Sequence, residues 1–280
     1  MSYRQQHKPP TNQGAIERIV RNDKTIVLGA VAGVVILACI YTVFGVGMNM
    51  SAYEMTQMAK PIGEPMQMGA NVVWSATYIA LVIMMWWIMM IAMMTPSAAP
   101  TLLLFVAMKR HGKDRQNASF YGLLFLFGYL LCWATFSMAA TLAQWGFSEI
   151  GVLSTSMMTV NSKLFSGVIL LGAGIYQFSS LKDACLKHCR SPAYFLSENK
   201  RTGKIGAILM GAHHGIYCLG CCWALMALLF VGGVMNLYWI IGLAIYVLIE
   251  KLIPYGELVS KSLGITMIGT GIYFIFSVLM

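Results

Sequence analysis

Charge is what this chain has least of: 10% of its 280 residues are Asp, Glu, Lys or Arg, against 58% hydrophobic. So few charges cannot cover a soluble domain of this length. The composition therefore excludes a water-soluble protein and reads as an all-α, polytopic helical membrane protein. Cysteine is absent from the segments expected on the outer side. Cys39 and Cys132 sit inside apolar runs and the other five fall between residues 185 and 222, which excludes a disulfide scaffold. No Asp or Glu lies clearly inside an apolar run, and Glu250 and Glu257 are expected at or beyond the end of the sixth. A carboxylate-bridged di-iron centre and a buried-carboxylate proton relay are thereby disfavoured. A signal-peptide cleavage site is also missing, and the run 25–47 is too long for a signal-peptide core, so it reads as the first span.

What is present is organised by the basic residues. The formal net charge is +9, yet Lys and Arg fall in connecting segments. They orient the chain in a lipid bilayer rather than bind nucleic acid. Spans are expected at 25–47, 71–94, 120–142, 162–178, a fifth from about 204 ending before Gly232 and Gly233, 237–249 and 263–280. Thr95, Pro96 and Pro100 are expected to break the second, because proline lacks the helix donor and clashes with the preceding turn. Seven spans with a cytoplasmic N-terminus put the tail 1–24, Lys109 to Arg115, Lys182 to Lys204 and Lys251 to Lys261 on one side. Only Lys60 and Lys163 are then left outside. By this pattern the chain is expected to be a multi-pass membrane protein, with a tail at 1–24 and one transmembrane domain at 25–280. No internal repeat is visible, which weakens a secondary-transporter reading.

Chemistry concentrates in residues 211–226, where His213, His214, Cys218, Cys221 and Cys222 occur within ten positions of an apolar run. On an α-helix His214, Cys218, Cys221 and Cys222 line one stripe. Gly211, Gly215 and Gly220 let a neighbouring helix approach closely. At 1.5 Å per residue from about Lys204, Cys218 lies roughly 20 Å deep. A second cluster, Cys185, His188 and Cys189, has the i, i+3, i+4 spacing of a shared face if helix continues past the fourth span. Lys187 and Arg190 beside it favour thiolate. Thiolate and thioether ligands select Cu(I), or zinc at thiolate sites. There are 22 methionines, among them Met48, Met50, Met55, Met58, Met66 and Met68 in the outer loop, and Met85, Met89 and Met93 at i, i+4, i+8 in the second span. A methionine-lined entrance above a Cys/His site would suit inward movement of copper, although methionine is also an ordinary gap-filler between helices. One helix cannot readily supply four ligands, so Met85 or Met89 is the expected partner from another span.

Three motifs together resemble a known family. They are Trp86-x-x-Met89-x-x-x-Met93-Met94-x-Pro96; Tyr176-Gln177 with Lys182-x-x-Cys185-Leu186-x-x-Cys189-Arg190-x-Pro192; and Gly211-x-x-x-Gly215-x-x-Cys218-x-Gly220-Cys221-Cys222-Trp223. Over roughly residues 70–270 the chain is similar to the bacterial predicted metal-binding integral membrane proteins, a domain of unknown function of which some members carry a copper-chaperone label. The resemblance implies metal handling by a protein of the bacterial inner membrane and does not extend to the first outer loop.

The residues lead to a soft-metal protein, with copper as the expected ion and zinc as the alternative. Its ligands would come from His214, Cys218, Cys221, Cys222, Cys185, His188, Cys189, Met85 and Met89. Storage, conduction, or delivery to a membrane cuproenzyme or metallochaperone all remain open, and no motif specifies an enzymatic reaction. Two other readings compete with it. One is a membrane thiol–disulfide protein using the Cys218-x-x-Cys221 pair. The other is a structural subunit whose cysteines only pack.

Overall fold

The computed structural model describes residues 12–45, 51–59, 62, 73–111, 115–154 and 158–280, with only the backbone for 12–24. The chain is helical almost throughout: α1 (Asn12–Phe44), the short α2 (Ala52–Gln57), α3 (Ala76–Arg110) and α4 (Ala118–Glu149). A two-stranded antiparallel hairpin of β1 (Leu153–Ser154) and β2 (Thr159–Val160) then leads into α5 (Lys163–Tyr176), α6 (Ser180–Arg190) and α7 (Pro192–Glu198). The remainder is α8 (Gly203–Ala227), α9 (Leu229–Gly232), α10 (Leu237–Leu252) and α11 (Gly256–Leu279). Residues 12–24, expected in the polar tail, continue the backbone of α1. Residues 1–11 of that tail, with Met48, Met50, Lys60, Met66 and Met68 of the outer loop and Lys113 of the basic loop, lie outside the described residues.

Serine and asparagine set several of the helix starts. The side chains of Ser75, Ser162, Ser179 and Asn236 accept backbone N–H groups at the first turns of α3, α5, α6 and α10, satisfying donors the helix leaves unpaired. The expected break at Pro96 does not occur: α3 runs through Pro96 and Pro100 as one helix of 35 residues. Neighbouring groups support the backbone there. The Met94 carbonyl accepts from Tyr129 Oη at 3.0 Å and from Ser97 Oγ at 2.8 Å.

Five helices among the described residues are long and apolar enough to cross a bilayer: Thr25–Phe44, Ala76–Arg110, Arg115–Glu149, Gly203–Gly232 and Gly256–Leu279. A sixth is counted if α5 and α6, bent by 64° at their junction, form one broken span. The difference from seven lies in α5 and α10. At 14 and 16 residues they reach about 21 and 24 Å, short of a hydrocarbon core of roughly 30 Å.

Glycine permits the closest packing, as the pattern of small residues implied. A Cβ on Gly128 would overlap the Ile208 carbonyl, and one on Gly211 would overlap that of Phe125, so α4 and α8 touch backbone to backbone. Gly167 and Gly174 on α5 interlock in the same way with Gly271 and Gly264 on α11. Gly172 and Gly242, by contrast, meet nothing within 4 Å.

Candidate metal centre

α5 and α10 end at the same level of α8. The hydroxyl of Tyr176, the last residue of α5, donates to the Gly220 carbonyl, and Lys251, next to last in α10, reaches Cys218. The short helices thus stop part-way across the bundle, and α6 lies across the level where they end. Its Cys185 thiol sits against Gly220, where a Cβ would come within 2.6 Å of the sulfur. The bend after α5 therefore carries the second thiol cluster onto the first. The sequence offered a straight continuation of the fourth span, and tertiary packing replaced it with a turn.

Four thiols gather here from two helices. Cys218, Cys221 and Cys222 on α8 are completely buried, and Cys189 on α6, also buried, lies beside Cys218 and Cys221. All the described cysteines are free thiols. Cys221 and Cys222, which diverge on an ideal helical wheel, both donate to the Cys218 carbonyl, at 3.0 and 2.9 Å. Cys222 Sγ also lies 3.9 Å from Met94 Sδ on α3. In this arrangement the S–H groups of Cys221 and Cys222 are occupied by hydrogen bonds. Among the described residues no three His, Cys, Asp or Glu side chains are preset around a common point for a metal ion. Rotation about χ1 is what would exchange an S–H···O=C bond for a sulfur–metal bond.

The remaining expected ligands are distributed more widely. His214, one turn before Cys218, is buried in a cage of Phe125, Tyr129 and Phe195, its ring stacked on Tyr129 at 5.8 Å. Its Nδ1 has no hydrogen-bond partner, an unusual state for a buried polar atom and one that a ligand would relieve. His188 turns away from the thiols, stacking on Tyr217 with ring centres 4.1 Å apart. Its Nδ1 lies 2.8 Å from the Ala184 carbonyl and its Nε2 lies 3.8 Å from Glu198. Met85 and Met89 are buried in the core, but the thioether that meets the thiols is that of Met94. Met94 was legible only as a member of the Trp86–Pro96 motif.

Two lysines were missed as interior groups. Lys251 Nζ lies 2.9 Å from Cys218 Sγ and 3.1 Å from Ser97 Oγ, with the residue only 7% exposed. Lys182 pairs with Glu250 at 2.6 Å, both side chains 0% exposed, and also donates to Gln177 Oε1. Ser260 Oγ donates to the same Gln177 oxygen at 3.0 Å. Glu250, expected at or beyond a helix end, is therefore buried. Charge in the sequence signalled a cytoplasmic boundary, whereas the fold places α6 over it and removes Lys182, Glu250 and Lys251 from water.

Beyond the thiols, toward the hairpin end, α3 and α8–α9 stay in antiparallel register. Met94 meets Cys222, while Trp86 meets Phe230 with ring centres 5.3 Å apart. Phe136, Phe147 and Trp133 extend that aromatic layer, and Trp86 Nε1 donates to Gln144 at 2.8 Å. A buried cluster of soft donors, closed by aromatic rings on one side, is suited to holding a soft monovalent metal out of water.

The model of the PpoB2 family, described as copper chaperone, matches residues 83–274, more than half of the chain. The chain belongs to that copper-chaperone family. Comparison with curated proteins and with solved structures gave no match. The matched region begins within α3 and ends within α11, so it contains every side chain of the thiol cluster together with Met94, Lys251 and the Lys182–Glu250 pair.

Proposed function

We propose that this chain is a membrane-embedded copper-handling protein that binds Cu(I) as cargo at Cys218, Cys221, Cys222 and Cys189, with Met94 as the adjoining thioether. The observation that carries this reading is the convergence of four thiols from α8 and α6 at one buried place in a chain of the copper-chaperone family. Thiolate and thioether sulfur are the donors that select Cu(I) over harder ions. His214, buried with an unpartnered Nδ1, is the nearest nitrogen reserve on the same stripe. Cys185, at the edge of the cluster, is the route onto α6.

Delivery fits the fold better than transport straight across. Helices α5 and α10 end level with the thiols, while Trp86, Trp133 and Phe230 close the other side. The cluster therefore communicates with the basic side that carries α6 and α7, cytoplasmic in our reading of a bacterial inner-membrane protein. An acceptor there would be a metallochaperone or a cuproenzyme that offers thiolate or imidazole ligands.

The test is the metal content of the full chain, purified in detergent after growth with copper, zinc and iron, read by elemental mass spectrometry. Close to one copper per chain is expected. It should be lost in a folded variant carrying Cys189→Ser, Cys218→Ser, Cys221→Ser and Cys222→Ser, and kept in Cys39→Ser, whose thiol is exposed on α1. No metal in the native protein, with the buried thiols recovered as a disulfide, would overturn the reading in favour of a thiol–disulfide protein.

A further inference from the structure

Lys251 is a buried amine whose neighbours are sulfur and hydroxyl rather than carboxylate. Glu250, adjacent in sequence, points to Lys182, and no carboxylate is paired with Lys251 among the described residues. Its Nζ is held by Cys218 Sγ at 2.9 Å and Ser97 Oγ at 3.1 Å. A buried ammonium needs a compensating negative charge close by. Here the group that can supply one is the Cys218 thiol, the sulfur that Nζ touches. The amine is thus built into the donor set as a fixed positive charge.

We propose that Lys251 makes the centre selective for a monovalent soft cation. This rests on the reading of the thiol cluster as the metal site. One Cu(I), two thiolates and one ammonium are neutral together, so the loaded site carries no net charge in a low-dielectric interior. Zn(II) on the same two thiolates leaves one positive charge beside Lys251. It regains neutrality only by drawing a third thiolate into a tetrahedral shell that must also exclude the amine from Cys218. Replacing the ammonium by a neutral side chain reverses the balance: the cuprous dithiolate is then left with an unpaired negative charge, and the zinc dithiolate becomes neutral. Ser97, just after Pro96 on α3, fixes the amine from the far side. Lys251 is a positioning and selectivity residue in this scheme, not a ligand.

The experiment uses the full chain in detergent, with Ag(I) as an air-stable probe for Cu(I) and Zn(II) as the competitor. Each is titrated against a chelator of known affinity. Wild type, Lys251→Met, Lys251→Gln and Lys251→Arg are compared after confirming helical content and a monodisperse state. The ratio of silver to zinc affinity is expected to fall by at least about tenfold, roughly 1.4 kcal/mol, in Lys251→Met and Lys251→Gln. Lys251→Arg keeps the charge and should keep the ratio within a fewfold. Should Lys251→Met not fold, Lys251→Gln carries the comparison. A ratio unchanged in the neutral variants, while wild type binds silver, overturns the role of Lys251 and leaves the thiol site standing. Wild type that binds no silver overturns the thiol site and this inference with it.

Discussion

The buried Lys182–Glu250 pair should be the most sensitive electrostatic point in the fold. Both side chains are fully buried, their charged atoms are 2.6 Å apart, and the pair joins α6 to α10. Glu250→Gln removes the counter-charge and leaves the ammonium with Gln177 and an amide. Breaking such a pair on one side costs about 3–5 kcal/mol, because the surviving charge stays buried without compensation. The double variant Lys182→Met/Glu250→Met removes both charges at similar volume, and Ser260 still donates to Gln177. Its loss should be much smaller than the sum of the two single losses, since contacting sites are not additive. Unfolding of the full chain in mixed detergent–SDS micelles, followed by circular dichroism, measures wild type, Glu250→Gln, Lys182→Met and Glu250→Met singly, and the double variant. A second readout is the alkylation rate of Cys185 and Cys189, which should rise in Glu250→Gln because α6 loses its anchor. A Glu250→Gln variant within about 1 kcal/mol of wild type, with unchanged alkylation, would refute the idea that this pair holds α6 over the thiols.

The other expectations concern packing and the thioether. Gly211→Val places a branched side chain on the Phe125 carbonyl, where α4 and α8 touch through backbone. This variant should fail to give a monodisperse species by size exclusion, and a folded variant of normal stability would contradict the α4–α8 contact. Met94→Leu conserves volume and should cost less than about 1.5 kcal/mol in stability. Its copper should nevertheless exchange to a competing chelator roughly tenfold faster, about 1.4 kcal/mol, if Met94 completes the donor set. Copper retention equal to wild type would remove Met94 from the site.

Some of this was written in the sequence. Period and composition were enough for the helices, because an apolar run of bilayer length has few other options. The i, i+4, i+7 and i+8 spacing alone put His214, Cys218, Cys221 and Cys222 on one face of a helix. Gly211 and Gly215 announced a close helix neighbour because only a missing side chain permits backbone contact, and α4 is that neighbour. Other features had no local signature. Pro96 reads as a helix break, yet α3 continues through it inside the packed bundle. The sequence marked Lys182, Glu250 and Lys251 as residues of a membrane boundary. Whether a charge at such a boundary faces water or is roofed over depends on where α6 turns, and that turn is a property of the packed bundle. The choice of Met94 over Met85 or Met89 was also left to packing, since the register of α3 against α8 is set by contacts such as Trp86 on Phe230. The chain by itself specified soft donors on apolar helices, because donor chemistry is a property of residue type. Only the tertiary structure decided that two thiol clusters are one and that a lysine sits among them, because proximity between residues 189, 218 and 251 is created by folding alone.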